Sequence, residues 1–103
     1  MANKWRIPKD VEAAVLARDK NCVYCGILFG FDRKSACSWE HIINDLDNTT
    51  LENIALCCIG CNSSKGAKTL HAWITSAYAK QRGISLESLA PVVINSLLKT
   101  ESA

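Results

Sequence analysis

Cys22-Val-Tyr-Cys25 and Cys58-Ile-Gly-Cys61 are the two stretches of the chain that decide its fold. In a Cys-x-x-Cys turn the backbone folds around both sulfurs, so two thiolates can reach one metal ion. Two such turns supply the four ligands of a tetrahedral structural zinc, which four soft thiolates also favour. Cys58 follows Cys25 by 33 positions, so we expect the zinc to clamp a structural insert to the rest of the domain.

Two other interpretations of the cysteines stay open, namely a redox pair and buried free thiols. A redox motif needs only one pair and usually a thioredoxin-like βαβ pattern, which this sequence lacks. Cys57 competes with Cys58 as a ligand, and we favour Cys58 because only it has the two-residue spacing to Cys61. Cys37 and Cys57 are then expected to be small buried apolar residues.

The composition is that of one small folded domain. The 103 residues are 49 % hydrophobic and 21 % charged, which is ordinary for a globular chain. A chain this short buries a modest core, so a metal staple is expected. The sequence has neither a run of about 18 apolar residues nor a signal-peptide pattern. We expect no membrane partner and a cytoplasmic location, where reduced thiols favour metal over disulfides.

The net charge excludes few classes of function. Lys and Arg number 12 against 10 Asp and Glu, for a formal charge of +2. A zinc ion held by four thiolates would cancel that excess. Any affinity for nucleic acid must therefore come from local patches and a second metal ion, because the global charge is too weak to indicate it.

Periodicity predicts a mixed α+β domain that is mostly helical by residue count. We predict a helix over 9–20, strands over 36–43 and 54–57, a turn-rich loop over 44–50, a helix after Cys61, a helix over 69–82, and a last helix capped by Ser88 with Pro91 near its start. No repeat or linker divides residues 1–103. The motif core spans about 20–68 and the C-terminal helices about 69–101.

A second set of residues surrounds the cysteines: Trp39-Glu40-His41-Ile42, Leu51-Glu52-Asn53-Ile54, and Cys61-Asn62-Ser-Ser-Lys65-Gly66. In order and spacing, residues from about 8 to 70 resemble the HNH nuclease family. The resemblance implies a zinc-stapled ββα-metal domain that hydrolyses phosphodiester bonds of DNA, by nicking or by double-strand cleavage. The products would carry 5′-phosphate and 3′-hydroxyl ends.

The resemblance also implies roles for single residues. His41 corresponds to the general base that takes a proton from the attacking water, a task suited to an imidazole at neutral pH. Glu40 corresponds to an acidic metal ligand that is Asp in many members, and Asn62 to the second ligand. Their oxygens favour Mg²⁺ or Mn²⁺.

Two further roles complete the implied site. Asn53 corresponds to the residue that ties the loop between the strands and orients the base, and Lys65 is a candidate phosphate contact. His71, the other histidine, lies beside an apolar helical stripe and is expected to be structural.

One feature of the pattern conflicts with a shared site, and each residue also has a purely structural explanation. Adjacent residues on a regular strand point to opposite faces, so Glu40 and His41 share a site only if the strand ends or bends there. Taken singly, Glu40 fits a solvated strand residue, His41 a core histidine, and Asn53 and Asn62 a turn residue and a helix cap. Agreement of all four with the cysteine spacing favours catalysis.

Two functions without catalysis remain as alternatives. The first is a zinc-stabilised module that binds nucleic acid, and the second a zinc-stapled protein-interaction domain. The partner expected first is DNA, with the protein as a monomer or homodimer, since the apolar C-terminal helix could pack on its own domain or on a second copy. Small stand-alone chains of this kind resemble nucleases encoded by phages or prophages.

Overall fold

The structure, a computed structural model, describes residues 5–102, and for residues 100–102 the helical backbone alone. The elements follow the order α1 (Lys9–Arg18), β1 (Cys37–His41), β2 (Ile54–Cys58), α2 (Ile59–Lys65), α3 (Leu70–Ile74), α4 (Ala77–Arg82) and α5 (Pro91–Ser102). The expected α+β class is confirmed. The expectation of a mostly helical chain is wrong, because helix accounts for 39 % of the residues and long irregular connections take much of the remainder.

A strand–strand–helix unit forms the centre of the molecule. β1 pairs antiparallel with β2, in a register that sets Cys37 opposite Cys58 and His41 opposite Ile54. β2 then passes directly into α2, whose first turn is capped by the Cys58 sulfur accepting from the Cys61 amide at 3.4 Å. The predicted strands and the helix that follows them are therefore present, and α2 begins at Ile59 rather than after Cys61.

The two faces of this small sheet bury different clusters. Trp39 and Leu56 pack with Val15 of α1 on one face, whereas Ala55 and Cys57 pack with Tyr24 on the other. This split follows from the strand period of two. Every residue of β2 is buried, so this strand is covered on both sides and neither face of the sheet is open to solvent at its centre.

An acid at the end of α1 fastens that helix to β2. Asp19 is buried, and its Oδ2 accepts the backbone N–H of Leu56 at 3.0 Å. The Arg18 guanidinium donates to both Asp19 oxygens, at 2.6 and 2.8 Å, and to the Ile54 carbonyl at 2.8 Å. The buried carboxylate thus has a charged partner and a backbone donor, as a buried charge requires.

The C-terminal third differs from the predicted helix over 69–82. That segment forms two helices, since α3 ends at Ile74 and the Ser76 hydroxyl accepts from the Ala79 amide at 3.2 Å to begin α4. A serine that competes for backbone bonds favours a helix start over a helix interior. Gly83, in the left-handed region at φ 72°, ends α4 as predicted.

The last helix begins later than expected. Pro91 is its first residue, which fits a residue without an N–H. The prediction of Ser88 as the N-cap is wrong, because the Ser88 hydroxyl donates instead to the Tyr24 carbonyl at 2.8 Å. That bond ties the loop before α5 to the first cysteine turn. Within the described residues, no helix combines the length and the apolar character needed to cross a bilayer.

Candidate metal centre and catalytic residues

Four cysteine sulfurs converge at one point between the first turn and the start of α2. The ligand atoms of Cys22, Cys25, Cys58 and Cys61 all lie within 4.8 Å of one another, and the Sγ atoms of Cys25 and Cys58 are 3.9 Å apart. A tetrahedral zinc with Zn–S bonds of about 2.3 Å needs sulfurs about 3.8 Å apart. The donor set therefore fits a metal ion such as zinc, and the choice of Cys58 over Cys57 is confirmed.

Backbone geometry brings the first two sulfurs together. The Gly26 amide donates to the Cys22 carbonyl at 3.0 Å, and the Cys22 amide donates to the Ile27 carbonyl at 2.9 Å. Gly26 has φ 79°, a conformation that glycine adopts without steric cost. The turn therefore folds around its two sulfurs by local bonds, with the glycine placed where the chain reverses.

Two polar side chains from α4 surround the cluster. The Arg82 guanidinium lies 3.6 Å from the Cys25 sulfur and 3.7 Å from the Cys58 sulfur. The Tyr78 hydroxyl lies 3.6 Å from the Cys61 sulfur. Donors of this kind orient metal-bound thiolates and offset their charge. The sequence does not indicate this role, because both residues fall within the predicted helix over 69–82, far along the chain from the cysteines.

The pKa values of the clustered thiols shift in opposite directions. Hydrogen bonding from Cys22 and then Cys61 lowers the pKa of Cys58, whereas the bond to Cys58 is the main cause that raises the pKa of Cys22 to about 11. Crowded sulfurs favour one thiolate among protonated neighbours. A divalent cation would be the group that allows all four to be deprotonated.

The two remaining cysteines have different surroundings. Cys57 is fully buried, its sulfur lies 3.8 Å from the Ser38 hydroxyl, and burial raises its pKa. The expectation of a small buried residue is confirmed for Cys57. Cys37 is only half-buried, so the same expectation is met in part.

Glu40 lies in the interior between β1, α2 and the first cysteine turn. Its Oε2 accepts the Tyr24 hydroxyl at 2.7 Å and lies 3.3 Å from the Lys65 ammonium. Burial is the largest cause acting on its pKa and raises it, while Lys65 and the Tyr24 hydroxyl oppose that shift. The carboxylate is therefore held by two partners and is not a solvated strand residue.

Lys65 is fully buried in the same interior. Besides facing Glu40, its ammonium lies 3.5 Å from the His41 carbonyl. A buried ammonium needs such partners, because desolvation of an unpaired charge is costly. The predicted contact between Lys65 and a phosphate finds no support in this placement.

His41 ends β1 under the ring of Trp5, with ring centroids 4.5 Å apart and planes at 76°. Among the described residues, neither ring nitrogen of His41 has a hydrogen-bond partner, although both are buried. Burial is the main cause that lowers the pKa of His41, so the ring is neutral at neutral pH. Buried polar atoms without partners are rare and point to a functional or strained position.

The two asparagines hold backbone around these residues. The Asn62 side-chain nitrogen donates to the Ser38 hydroxyl at 2.9 Å and to the Trp39 carbonyl at 3.2 Å. Both bonds use the nitrogen, so the oxygen that would ligate a metal takes part in neither. Asn62 thereby fastens α2 to β1.

Asn53 closes the loop between the strands with three bonds. Its Oδ1 accepts the Ile43 amide at 2.8 Å, and its nitrogen donates to the carbonyls of Ile43 and Asn48 at 3.2 and 3.0 Å. Asn53 is buried. These bonds fix the loop that follows β1, from Ile43 to Asn48.

The structure brings some of the predicted residues together and separates others. Glu40 contacts Lys65. Asn62 bonds Ser38 and Trp39, and the His41 ring contacts Trp5. This is the outcome expected for neighbours on a regular strand. No family model, no curated protein and no solved structure matches this chain.

Proposed function

We propose that the chain is a metal-dependent DNA endonuclease of the HNH type, stapled by a structural zinc at the four cysteines. The observation that carries the proposal is the state of His41. It is a buried, neutral imidazole at the end of the first strand of a strand–strand–helix unit, and neither of its nitrogens has a hydrogen-bond partner among residues 5–102. A neutral imidazole with a free lone pair is what a general base requires.

The proposed chemistry assigns each residue a step. A ring nitrogen of His41 takes the proton of a water that attacks phosphorus in line, and the bond to the 3′ oxygen breaks. The oxygens of Glu40 and Asn62 would hold Mg²⁺ or Mn²⁺, which when bound stabilises charge on the phosphate and on the leaving oxygen. Asn53 positions His41 through the backbone of Ile43.

The proposal requires three rearrangements on substrate binding. The Trp5 ring must leave the imidazole, and Glu40 must exchange Tyr24 or Lys65 for the metal ion. The end of β1 must also bend, because the imidazole and the Glu40 carboxylate lie on opposite faces of the strand. Catalytic geometry often tightens only in the complex with substrate. Trp5 is only partly buried, so its ring can move at less cost than a buried strand.

The test uses the zinc-loaded chain on supercoiled plasmid DNA, with Mg²⁺ or Mn²⁺ added. His41→Ala should lower the cleavage rate about 10²- to 10⁴-fold, because the general base is lost. His71→Ala is the matched control, since it removes the other histidine. Circular dichroism and zinc content should be unchanged in both variants. Cleavage that persists in His41→Ala would exclude His41 as the base.

A second candidate is a zinc-stabilised module that binds nucleic acid without cutting it. The contacts of Glu40 favour this candidate, because a carboxylate bound to Tyr24 and Lys65 has fewer oxygens to offer a metal ion. Binding of DNA with no cleavage under Mg²⁺, Mn²⁺ or any other divalent metal would select it over the nuclease.

A further inference from the structure

A cavity of about 570 Å³ with three cations in a largely apolar wall lies beside the cysteine cluster. Its wall is formed by the loop before β1, the first turns of α2 and one side of α4, with these residues: Arg33, Lys34, Ile59, Gly60, Ser63, Tyr78 and Arg82. A shallower hollow adjoins it and shares Arg33, Lys34 and Arg82. None of these residues belongs to the proposed catalytic set, so the cavity is a separate site.

Two of the three cations of this cavity are available to a ligand. Arg33 and Lys34 are exposed, and within the described part of the chain neither takes part in an ion pair. Arg82 adds a third cation, although its guanidinium also faces the cluster sulfurs. Asp32 is the opposing acid at the rim, and its Oδ1 accepts the amides of Lys34 and Ser35 at 3.0 and 2.7 Å.

The loop that carries Arg33 and Lys34 is closed by its own backbone bonds. The Gly30 amide donates to the Ser35 carbonyl at 3.1 Å, and the Ala36 amide donates to the Asp32 carbonyl at 3.1 Å. A Cβ at Gly30 would lie 2.7 Å from the Ser35 hydroxyl oxygen, so a larger residue there would require the Ser35 side chain to rotate. A preorganised loop lowers the ordering cost of binding.

The same loop holds an aromatic ring out into solvent. Phe31 is fully exposed, and Leu28 nearby is 68 % exposed. Aromatic rings next to a cationic groove are the combination by which proteins bind single-stranded nucleic acid, because phosphates meet the cations and bases stack on the ring. Phe31 is exposed two and three positions before Arg33 and Lys34, so its ring is accessible to a base whose phosphate these cations bind.

We propose that residues 30–35 and the cavity bind the phosphodiester backbone of DNA, and that Phe31 stacks on an unpaired base. This inference rests on the proposed function only in its choice of DNA as the polyanion. The loop precedes Cys37, at the end of β1 opposite His41. β1 spans about 13 Å at the usual rise per residue, which corresponds to roughly four base steps of a duplex.

The first test measures binding of zinc-loaded protein, without Mg²⁺ or Mn²⁺, to fluorescent single-stranded DNA and to the same sequence as a duplex. Arg33→Gln/Lys34→Gln should weaken binding of both on the order of tenfold at low salt, and make the duplex salt slope shallower by about 1.8. Lys9→Gln/Lys20→Gln is the matched control, because it removes the same charge from α1 and its end. A wild-type chain that binds neither DNA, or equal losses in both double variants, overturns the proposal.

The second test separates stacking from charge. Phe31→Ala should weaken binding of the single strand about tenfold, while duplex binding stays within about twofold. Leu46→Ala, another exposed apolar residue, should change neither. No effect of Phe31→Ala on the single strand overturns the stacking contact.

The outcomes distinguish this inference from the proposed function. Binding that depends on Arg33 and Lys34 without metal-dependent cleavage would sink the nuclease and support this site. Cleavage that depends on His41, with DNA binding unchanged in Arg33→Gln/Lys34→Gln, would sink this site alone.

Discussion

The two ends of the strand–strand–helix unit differ in how their residues reach one another. At the Cys58 end, four sulfurs from two distant turns lie within 4.8 Å. At the other end, Glu40 and His41 are neighbours in the chain, yet the carboxylate contacts Tyr24 and Lys65 while the imidazole contacts Trp5. A turn brings residues three positions apart together, whereas a strand separates adjacent ones. Spacing therefore predicts a cluster only when the local conformation is known.

The largest expected effect is loss of the cysteine cluster. Cys58→Ser should leave the chain largely unfolded, because structural zinc contributes on the order of 10 kcal/mol to the folding of small domains. Circular dichroism and zinc content per chain would measure it. Cys37→Ser is the matched control and should keep both near the wild-type values, since Cys37 lies outside the cluster. A Cys58→Ser chain that melts like the wild type would show that the cluster is not a folding staple.

How far the sequence predicts this structure depends on the range of the forces involved. The cysteine set followed from local turns, and the strands from apolar runs, so both were predictable. The break between α3 and α4 depends on the Ser76 hydroxyl, which caps α4. The Ser88 hydroxyl does not cap α5, because it donates to the Tyr24 carbonyl. Such choices depend on tertiary neighbours that propensity does not include.

The same limit applies to the candidate site. The conflict between Glu40 and His41 was visible in the strand period, but the partners that fill each face were not. Nothing in the sequence indicated that Lys65 would pair with Glu40 inside the molecule, since lysine is rarely fully buried. Arg82 and Tyr78 likewise reach the sulfurs from a helix that begins 16 residues after Cys61, a contact that only the packing of α4 decides.

The next effect concerns the buried Glu40–Lys65 pair. Lys65→Met should destabilise the fold by roughly 3–5 kcal/mol, because it leaves a carboxylate in the interior without its cation. Urea unfolding would measure the loss. Lys68→Met is the control close by in the chain, since Lys68 is exposed and its ammonium donates to the Ser64 carbonyl.

The double variant Glu40→Gln/Lys65→Met sharpens this result. Removing both charges should recover much of the stability lost in Lys65→Met, because no unpaired charge remains. If the Lys65→Met protein were as stable as the Lys68→Met control, the Glu40 carboxylate would not depend on Lys65 as its buried partner. The acid would then be free for a metal ion, and the contrast between the two ends of the unit would weaken.

A smaller effect is expected at Asn53. Asn53→Ala removes three hydrogen bonds and leaves the Ile43 amide without its partner, so we expect a loss of about 1–3 kcal/mol. Asn44→Ala serves as control, because its side chain is exposed and makes a bond to the Lys68 carbonyl. Equal unfolding free energies for the two variants would show that Asn53 does not hold the loop after His41.

The smallest effect is the pH dependence contributed by His41. Its pKa in the folded chain lies below the ordinary 6.5 because the ring is buried. Between the folded pKa and 6.5 the unfolded chain binds more protons, so this contribution to stability is complete above 6.5 and is lost as pH falls through the folded pKa. Urea unfolding between about pH 5 and about pH 8, compared with His41→Gln, isolates it from Glu40, whose raised pKa acts with the opposite sign.

Only the wild-type chain should lose stability by this route on acidification, and the His41→Gln profile should be flatter over the same interval. The histidine ring resonances followed by NMR in the zinc-loaded, magnesium-free protein would give the titration directly. A His41 that titrates at or above 6.5 would mean that the imidazole is solvated or faces a carboxylate. The ring would then be charged over part of the neutral range, and His41 would not be a neutral base ready to accept a proton. The imidazole would also not be buried away from charge, so the contrast with the cysteine cluster would no longer hold.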